Sequence, residues 1–356
     1  MEVFVPPRCP NQHCEQHTRP TPRFYRRCGS YWPRCRSEPV PRFRCRSCRR
    51  GFSRQTFRHD CRDRRPECNE PLFKLLTSGV GLRQSGRYLG LDIHSVQNKK
   101  RKMARTCRLL HDNLSPTLPA GRTYVFDEEE TYEGASIRPV TMPVLIEKDT
   151  WFVVGTAVGS IRRLAPVGQK RRLRQELEEQ KHGVRQDMST SCVREVLQQL
   201  ARRVDGSRLV LRSDQKASYG PIAKEVFGER VVHETTAGTR IRNTHNPLFP
   251  INTTLAMTRD NCGRLRRRSW LVTKQRRYLQ SHLELFIVYR NYVRRRFNRD
   301  RRRATPARLL RLLPRQMHPS EVLAWRQDWA ALSIHPMSRT AARTVARRKT
   351  PGRVTA

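Results

Sequence analysis

The chain has 356 residues, room for two or three domains and at least one sizeable core, and carries 73 Lys and Arg against 31 Asp and Glu. A formal net charge of +42 makes a polyanion the expected partner, bound through release of its counterions. Nucleic acid and an acidic membrane surface both satisfy that charge. No apolar run reaches the roughly 20 residues of a spanning helix and none resembles a signal peptide, so a soluble, cytoplasmic protein is expected, lying with the nucleoid when DNA-bound.

Eleven cysteines in a reducing compartment argue for metal ligation rather than disulfides. Residues 1–68 read as a zinc ribbon. Cys9 and Cys14 form a C-x4-C pair and Cys45 and Cys48 a C-x2-C pair, so four thiolates complete a tetrahedral structural Zn²⁺ site. The second knuckle, RFRCRSCRRGFS, has a strand-like approach through Phe43, with Gly51 and Phe52 just past its turn. Cys28, Cys35, His13 and His17 are alternative ligands, while Cys61 and Cys68 have no partner at a usable spacing. Arg42, Arg44, Arg46, Arg49 and Arg50 point to contact with DNA.

Residues 69–115 fit a helix-turn-helix. Helices are expected from Pro71 to Leu76, from Leu82 to Leu89, and from Ile93 to about Leu110, with Gly90-Leu91-Asp92 as the turn. Leu82, Leu89, Leu91 and Val96 have the spacing of a small core, and Asp92 or Ser95 can cap the third helix. Its exposed side is expected to show Gln97, Asn98, Lys99, Lys100 and Lys102 to base edges and phosphates.

Residues 121–298 read as an α/β core. Tyr124, Val125 and Phe126 make a short buried strand that runs into Asp127, Glu128, Glu129 and Glu130. Strand alternation puts Asp127 and Glu129 on one face and Glu128 and Glu130 on the other. Carboxylates at the end of a buried strand are costly unless compensated, and a divalent cation does that well. Asp214 follows Leu209, Val210 and Leu211 in a similar setting. Two strand-end aspartates in a basic protein suggest a metal site for phosphodiester chemistry. Between them lie two strands joined at Lys148-Asp149, an Arg/Glu/Gln-rich insertion over 161–187 and a helix from Val193 to Leu200. Tyr219 to Phe227 is helical and Arg230 to His233 a further strand. Three strands, then helix, strand, helix, strand, helix is the order of an RNase H-like domain, whose first and fourth strands are neighbours.

FDEEETYEG, SDQKASYGP and INTTLAMTRDNCGRLRRRSWLVTK together resemble the DDE transposases of the insertion-sequence-one type. The most specific block is Arg264-Leu265-Arg266-Arg267-Arg268-Ser269 with Val272-Thr273-Lys274. Zinc ribbon and helix-turn-helix in front also fit, so the resemblance covers roughly residues 9–298. It implies phosphoryl transfer with Mg²⁺ or Mn²⁺ held by Asp127 and Asp214, and a homo-oligomer working on double-stranded transposon ends and target DNA. It places the third acid thirteen residues before Leu265, at position 252, where this chain has Asn252. An amide oxygen can still ligate a hard cation, giving a D-D-N site with less charge for a second ion. Asp260 or the His233-Glu234 pair are other sources of a ligand. Arg264, Arg266, Arg267 and Arg268, on the same helix, and Lys274 are expected to grip DNA.

Beyond the core, Leu279, Leu283, Phe286, Ile287 and Val293 form a helical stripe that packs on it. The tail, residues 299–356, is basic, with short helices from Ala304 to Leu313 and Ser320 to Trp329 and an end that orders only on DNA. Two other classes satisfy the charge: a non-catalytic DNA-binding regulator or domesticated copy, and an RNA-binding or ribosome-associated protein.

Overall fold

The computed structural model describes residues 4–33, 38–241, 243–266 and 270–326. Cys35, Arg267, Arg268, Ser269 and the end of the tail from 327 onward, including Trp329, lie outside them. Among the described residues no helix is long and apolar enough to cross a membrane.

The N-terminal unit is a single helical turn, α1 (Glu15–Thr18), before an antiparallel sheet of β1 (Tyr25–Tyr31), β2 (Val40–Cys45) and β3 (Gly51–Ser53) in sequential order. Its small core is aromatic: Phe24, Phe43, Phe52 and Phe57 are buried beside Cys9, Cys14 and Cys45. Phe24 and Phe52 stack, with ring centroids 6.2 Å apart. So few apolar side chains stabilise a fold this small only with a covalent or metal staple.

Three helices follow, α2 (Asn69–Leu76), α3 (Leu82–Leu89) and α4 (Ile93–Leu114). Gly90 ends α3 in the left-handed region at φ 61°, where glycine carries no steric cost. Asp92 caps α4, its carboxylate accepting from the N–H groups of His94 at 2.7 Å and Ser95 at 3.0 Å. The buried stripe of α4 is Val96, Lys100, Met103, Cys107 and Leu110, alternating steps of four and three. It therefore contains a lysine.

The second sheet holds β4 (Thr123–Tyr132), β5 (Pro139–Glu147), β6 (Val153–Thr156), β7 (Gly159–Ser160), β8 (Leu209–Asp214) and β9 (Val231–Thr236). Its order is β6-β5-β4-β8-β9, with β7 also paired to β5. The β4–β5 and β5–β6 pairs are antiparallel, whereas β4–β8 and β8–β9 are parallel. Helices α5 (Lys170–His182) and α6 (Ser189–Ala201) intervene between β7 and β8, and α7 (Tyr219–Phe227) between β8 and β9. After β9 come α8 (Phe249–Asn261), α9 (Arg276–Val288), α10 (Pro306–Leu309) and α11 (Pro319–Ala324).

Strand alternation sorts the core into two layers. Tyr124, Phe126 and Leu211 pack with Val193, Leu197, Ile222 and Phe227 of α6 and α7. Val125, Val144 and Ile146 face the other way, onto Ile251 and Leu255 of α8 and Leu279, Leu283 and Phe286 of α9. Each fully buried aliphatic or aromatic side chain contributes about 1.5–3 kcal/mol.

Two expectations need correction. The acidic run is not the end of a strand: β4 continues through it, paired with β5 from Tyr124↔Glu147 to Tyr132↔Pro139. And α8 stops at Asn261, because Cys262 is extended (φ −108°, ψ 95°), so Arg264 sits in a 3-10 turn, Gly263–Leu265, rather than on that helix.

Candidate functional site

The four cysteines of the two knuckles converge. Sγ atoms of Cys9, Cys14, Cys45 and Cys48 lie within 4.8 Å of one another, with Cys9–Cys48 at 3.4 Å and Cys14–Cys45 at 3.9 Å. A tetrahedron of Zn–S bonds about 2.3 Å long has edges of about 3.8 Å, so the thiols are spaced for a closed structural site. Burial opposes ionisation of Cys48, yet the Arg50 N–H and the Cys9 thiol bring it down to about 6. Among the described residues the cluster holds neither Cys28, which is exposed on β1, nor His13 nor His17, whose Nδ1 meets the Cys9 carbonyl at 2.7 Å; Cys35 lies outside the described residues.

Asp127 and Asp214 come together on the second sheet. The parallel pairing of β4 with β8 ends at Val125↔Arg212, and Asp127 and Asp214 each follow two residues later, close enough for the charge of one to act on the other. Both lie two residues beyond a paired position, so by strand alternation the two carboxylates share one face. It is the face of Val125, onto which α8 packs. Burial pushes the Asp127 carboxyl up to about 6, against the Glu128 N–H that favours the anion, and the charges of Asp214, Glu129 and Glu128 add to the rise. Among the described residues neither aspartate has a cationic partner. Asp127 accepts from the Glu128 N–H at 2.7 Å and Asp214 from the Lys216 N–H at 3.1 Å. Two neighbouring carboxylates on one face, costly to charge together without a counter-ion, could hold a divalent cation.

The neighbouring glutamates are already engaged. Glu128, on the opposite face, accepts from Thr141 (2.6 Å), Ser189 (3.0 Å), Lys216 (2.8 Å) and Tyr219 (2.9 Å). Glu129 is buried and bound by Arg259 of α8. Glu130 meets Arg163 at 2.7 Å.

Asn252 is half-buried on α8. Helical periodicity places it on the side of Leu255 and Arg259, which face Val125 and Glu129, so it lies on the sheet-facing side of the helix. The other candidate ligands do not join it. His233 bonds Ser213 Oγ at 2.8 Å, on the face turned from Asp214, Glu234 pairs with Arg212, and Asp260 is exposed.

The basic residues expected at a nucleic-acid surface divide. Lys99 points inward, its ammonium on Asp63 and 2.9 Å from Asn69 Oδ1. Lys100 is fully buried and donates to the Tyr278 carbonyl at 2.8 Å, and burial pushes its pKa well down. Lys102 reaches the Cys61 carbonyl. Arg264 is buried over the Tyr278 ring, 3.3 Å from Thr273 Oγ1, and burial lowers it to about 10. Gln97 is half-buried, its Oε1 3.5 Å from Arg264. Asn98, Arg266 and Lys274 are exposed. The outward face of α4 is instead His94, Asn98, Arg101 and Arg105, continued on α3 by Arg83, Arg87 and Tyr88. Their spacing of four, three and four is a helical stripe legible from the sequence.

Compared with known protein families and with curated proteins, the chain matches none.

Proposed function

We propose that this chain is a DDE-type transposase, with an RNase H-like core behind a zinc ribbon and a helix-turn-helix, resembling the insertion-sequence-one enzymes. The observation that carries the reading is the nearness of Asp127 and Asp214 at matching places on the neighbouring parallel strands β4 and β8, free of cationic partners among the described residues. The strand order of three antiparallel members followed by two parallel ones supports the same core. The α3–turn–α4 geometry with left-handed Gly90 supports the helix-turn-helix.

Asp127 and Asp214 would hold Mg²⁺ or Mn²⁺, with the Asn252 amide oxygen as a further donor. Divalent ions there supply the charge that activates an attacking oxygen and stabilises a leaving one in phosphoryl transfer. The Glu129–Arg259 pair holds α8, and with it Asn252, against β4. Arg101, Arg105 and Lys274, all exposed, would neutralise phosphates of the double-stranded substrate. A second reading, a DNA-binding protein without turnover, rests on Asn252 standing where the resemblance expects an acid.

The test is Mn²⁺- or Mg²⁺-dependent nicking and strand joining on a duplex bearing the gene's flanking ends. Native chain is expected to cut, while Asp127→Ala and Asp214→Ala bind without cutting. Equal binding and no cutting by all three, persisting in Asn252→Glu, would leave the DNA-binding reading.

A further inference from the structure

The two aspartates are joined beneath the sheet by a strut that the acid cluster itself supplies. The N–H of Glu128 donates to Asp127 Oδ1 at 2.7 Å, and the N–H of Lys216 donates to Asp214 Oδ1 at 3.1 Å. The side chains of these same two residues meet each other, Lys216 Nζ to Glu128 Oε1 at 2.8 Å. Each residue thus orients one aspartate with its backbone and grips its counterpart with its side chain.

The grip is well built. The Glu128 side chain is 6% exposed, whereas that of Lys216 is 42% exposed and closes over it from the turn after β8. Ser189 Oγ bridges the pair, 3.0 Å from Glu128 Oε2 and 2.9 Å from Lys216 Nζ. Tyr219 adds its hydroxyl from the first turn of α7 at 2.9 Å, and Thr141 anchors the carboxylate to β5 at 2.6 Å. One carboxylate therefore ties β4, β5, α6 and the β8–α7 turn together. That turn, residues 215–218, contains the Lys216 amide that holds Asp214.

We propose that Glu128 and Lys216 are positioning residues that fix the separation and orientation of Asp127 and Asp214, and so set the divalent-cation affinity of the pair. The inference rests on the acid pair being a cation site. Glu128 and Lys216 do not themselves touch the ion: their side chains lie on the opposite face. Charge and position make opposite demands on a substitution here. Removing the Lys216 cation leaves more negative potential near the aspartates, which by charge alone tightens cation binding. Releasing the turn that orients Asp214 weakens it. Partners of this kind are worth about 10–100-fold in metal affinity.

The experiment is Mn²⁺ titration of the full chain without DNA, followed by calorimetry, on native protein, Asp127→Ala, Lys216→Met, Lys216→Arg and Glu128→Gln. Circular dichroism reports whether each variant is folded. Native protein is expected to bind Mn²⁺ at a site lost in Asp127→Ala. Lys216→Met is expected to bind at least about tenfold more weakly, and Lys216→Arg, which can remake the ion pair, near the native value. Glu128→Gln, which keeps an acceptor but loses the charge, is expected to fall between and serves if Lys216→Met does not fold. Unchanged or tighter binding by Lys216→Met, or by Glu128→Gln in its place, overturns the strut. No Asp127-dependent binding in native protein overturns the cation site itself, and the strut's role with it.

Discussion

Lys99 and Asp63 form a buried ion pair, 2.5 Å between Nζ and Oδ1, with each side chain 7% exposed. The pair fastens the segment after the three-stranded sheet to α4, and the Arg65 carbonyl completes the ammonium's shell at 2.7 Å. Burial alone would raise the Asp63 carboxyl, but the Lys99 ammonium and the N–H groups of Arg65 and Asn69 hold it below the usual carboxylate range. Lys99→Met leaves that carboxylate buried without its cation and is expected to cost about 3–5 kcal/mol in a denaturant titration. The stability Asp63 contributes is present above the ordinary carboxylate value of about 3.9 and is lost as pH falls below it. Acid unfolding of native chain, but not of Asp63→Asn, should therefore steepen in that range.

The outward stripe of α4 gives the opposite expectation. Arg101→Ala and Arg105→Ala should each flatten the salt dependence of duplex binding by about one unit of slope, with no change in melting temperature. Lys100→Met should leave the slope alone, since its ammonium donates into the fold. Fluorescence anisotropy across a salt series reads both. A lost slope unit in Lys100→Met would put the interface elsewhere.

Asp127 gives a pH-dependent result. Its folded-state value, about 6, lies above that of an unfolded aspartate, about 3.9. Folding therefore favours the protonated acid, and a stability cost grows as pH rises between these two values. Without divalent ions, Asp127→Asn should melt higher than native chain at pH 7 and equal to it at pH 4. Equal melting at both would mean the carboxylate is not burdened by its surroundings.

Metal removal should act on the other end of the chain. One Zn²⁺ per chain is expected, released by Cys45→Ser or by a strong chelator, with the sheet of β1–β3 becoming protease-sensitive while β4–β9 stays folded. Structural zinc contributes about 10–16 kcal/mol in isolated modules, at least comparable with burial of the four phenylalanine rings of this core. Limited proteolysis followed by mass spectrometry separates the two regions.

Much of this architecture was legible in the sequence for a simple reason: apolar runs such as Leu209-Val210-Leu211 have one stable placement, and paired C-x4-C and C-x2-C spacings have few uses. The failures share a cause as well. Four acids in a row look like the end of a strand because sequence does not show their partners. Here Ser189, Tyr219, Arg259 and Arg163 arrive from distant segments and let a strand carry them. Lys99, Lys100 and Arg264 were expected outside because a cation is costly to bury unpartnered. Asp63 pairs with Lys99, while Lys100 and Arg264 rest on a carbonyl and an aromatic ring. For Lys100 the signal was present: it occupies the stripe of Val96, Met103 and Cys107.

The four consecutive acids of β4 carry a constraint on how such a chain can change over time. Because odd and even positions face opposite layers, a single inserted or deleted residue upstream in the strand would exchange Asp127 for Glu128 and turn Phe126 to the wrong side. The acids are chemically alike, so nothing about their own charge would resist the exchange. The alternation of Tyr124, Val125 and Phe126 against the two core layers resists it instead. Length variation in β4 is thus closed, and lineages of this chain should show their insertions and deletions elsewhere.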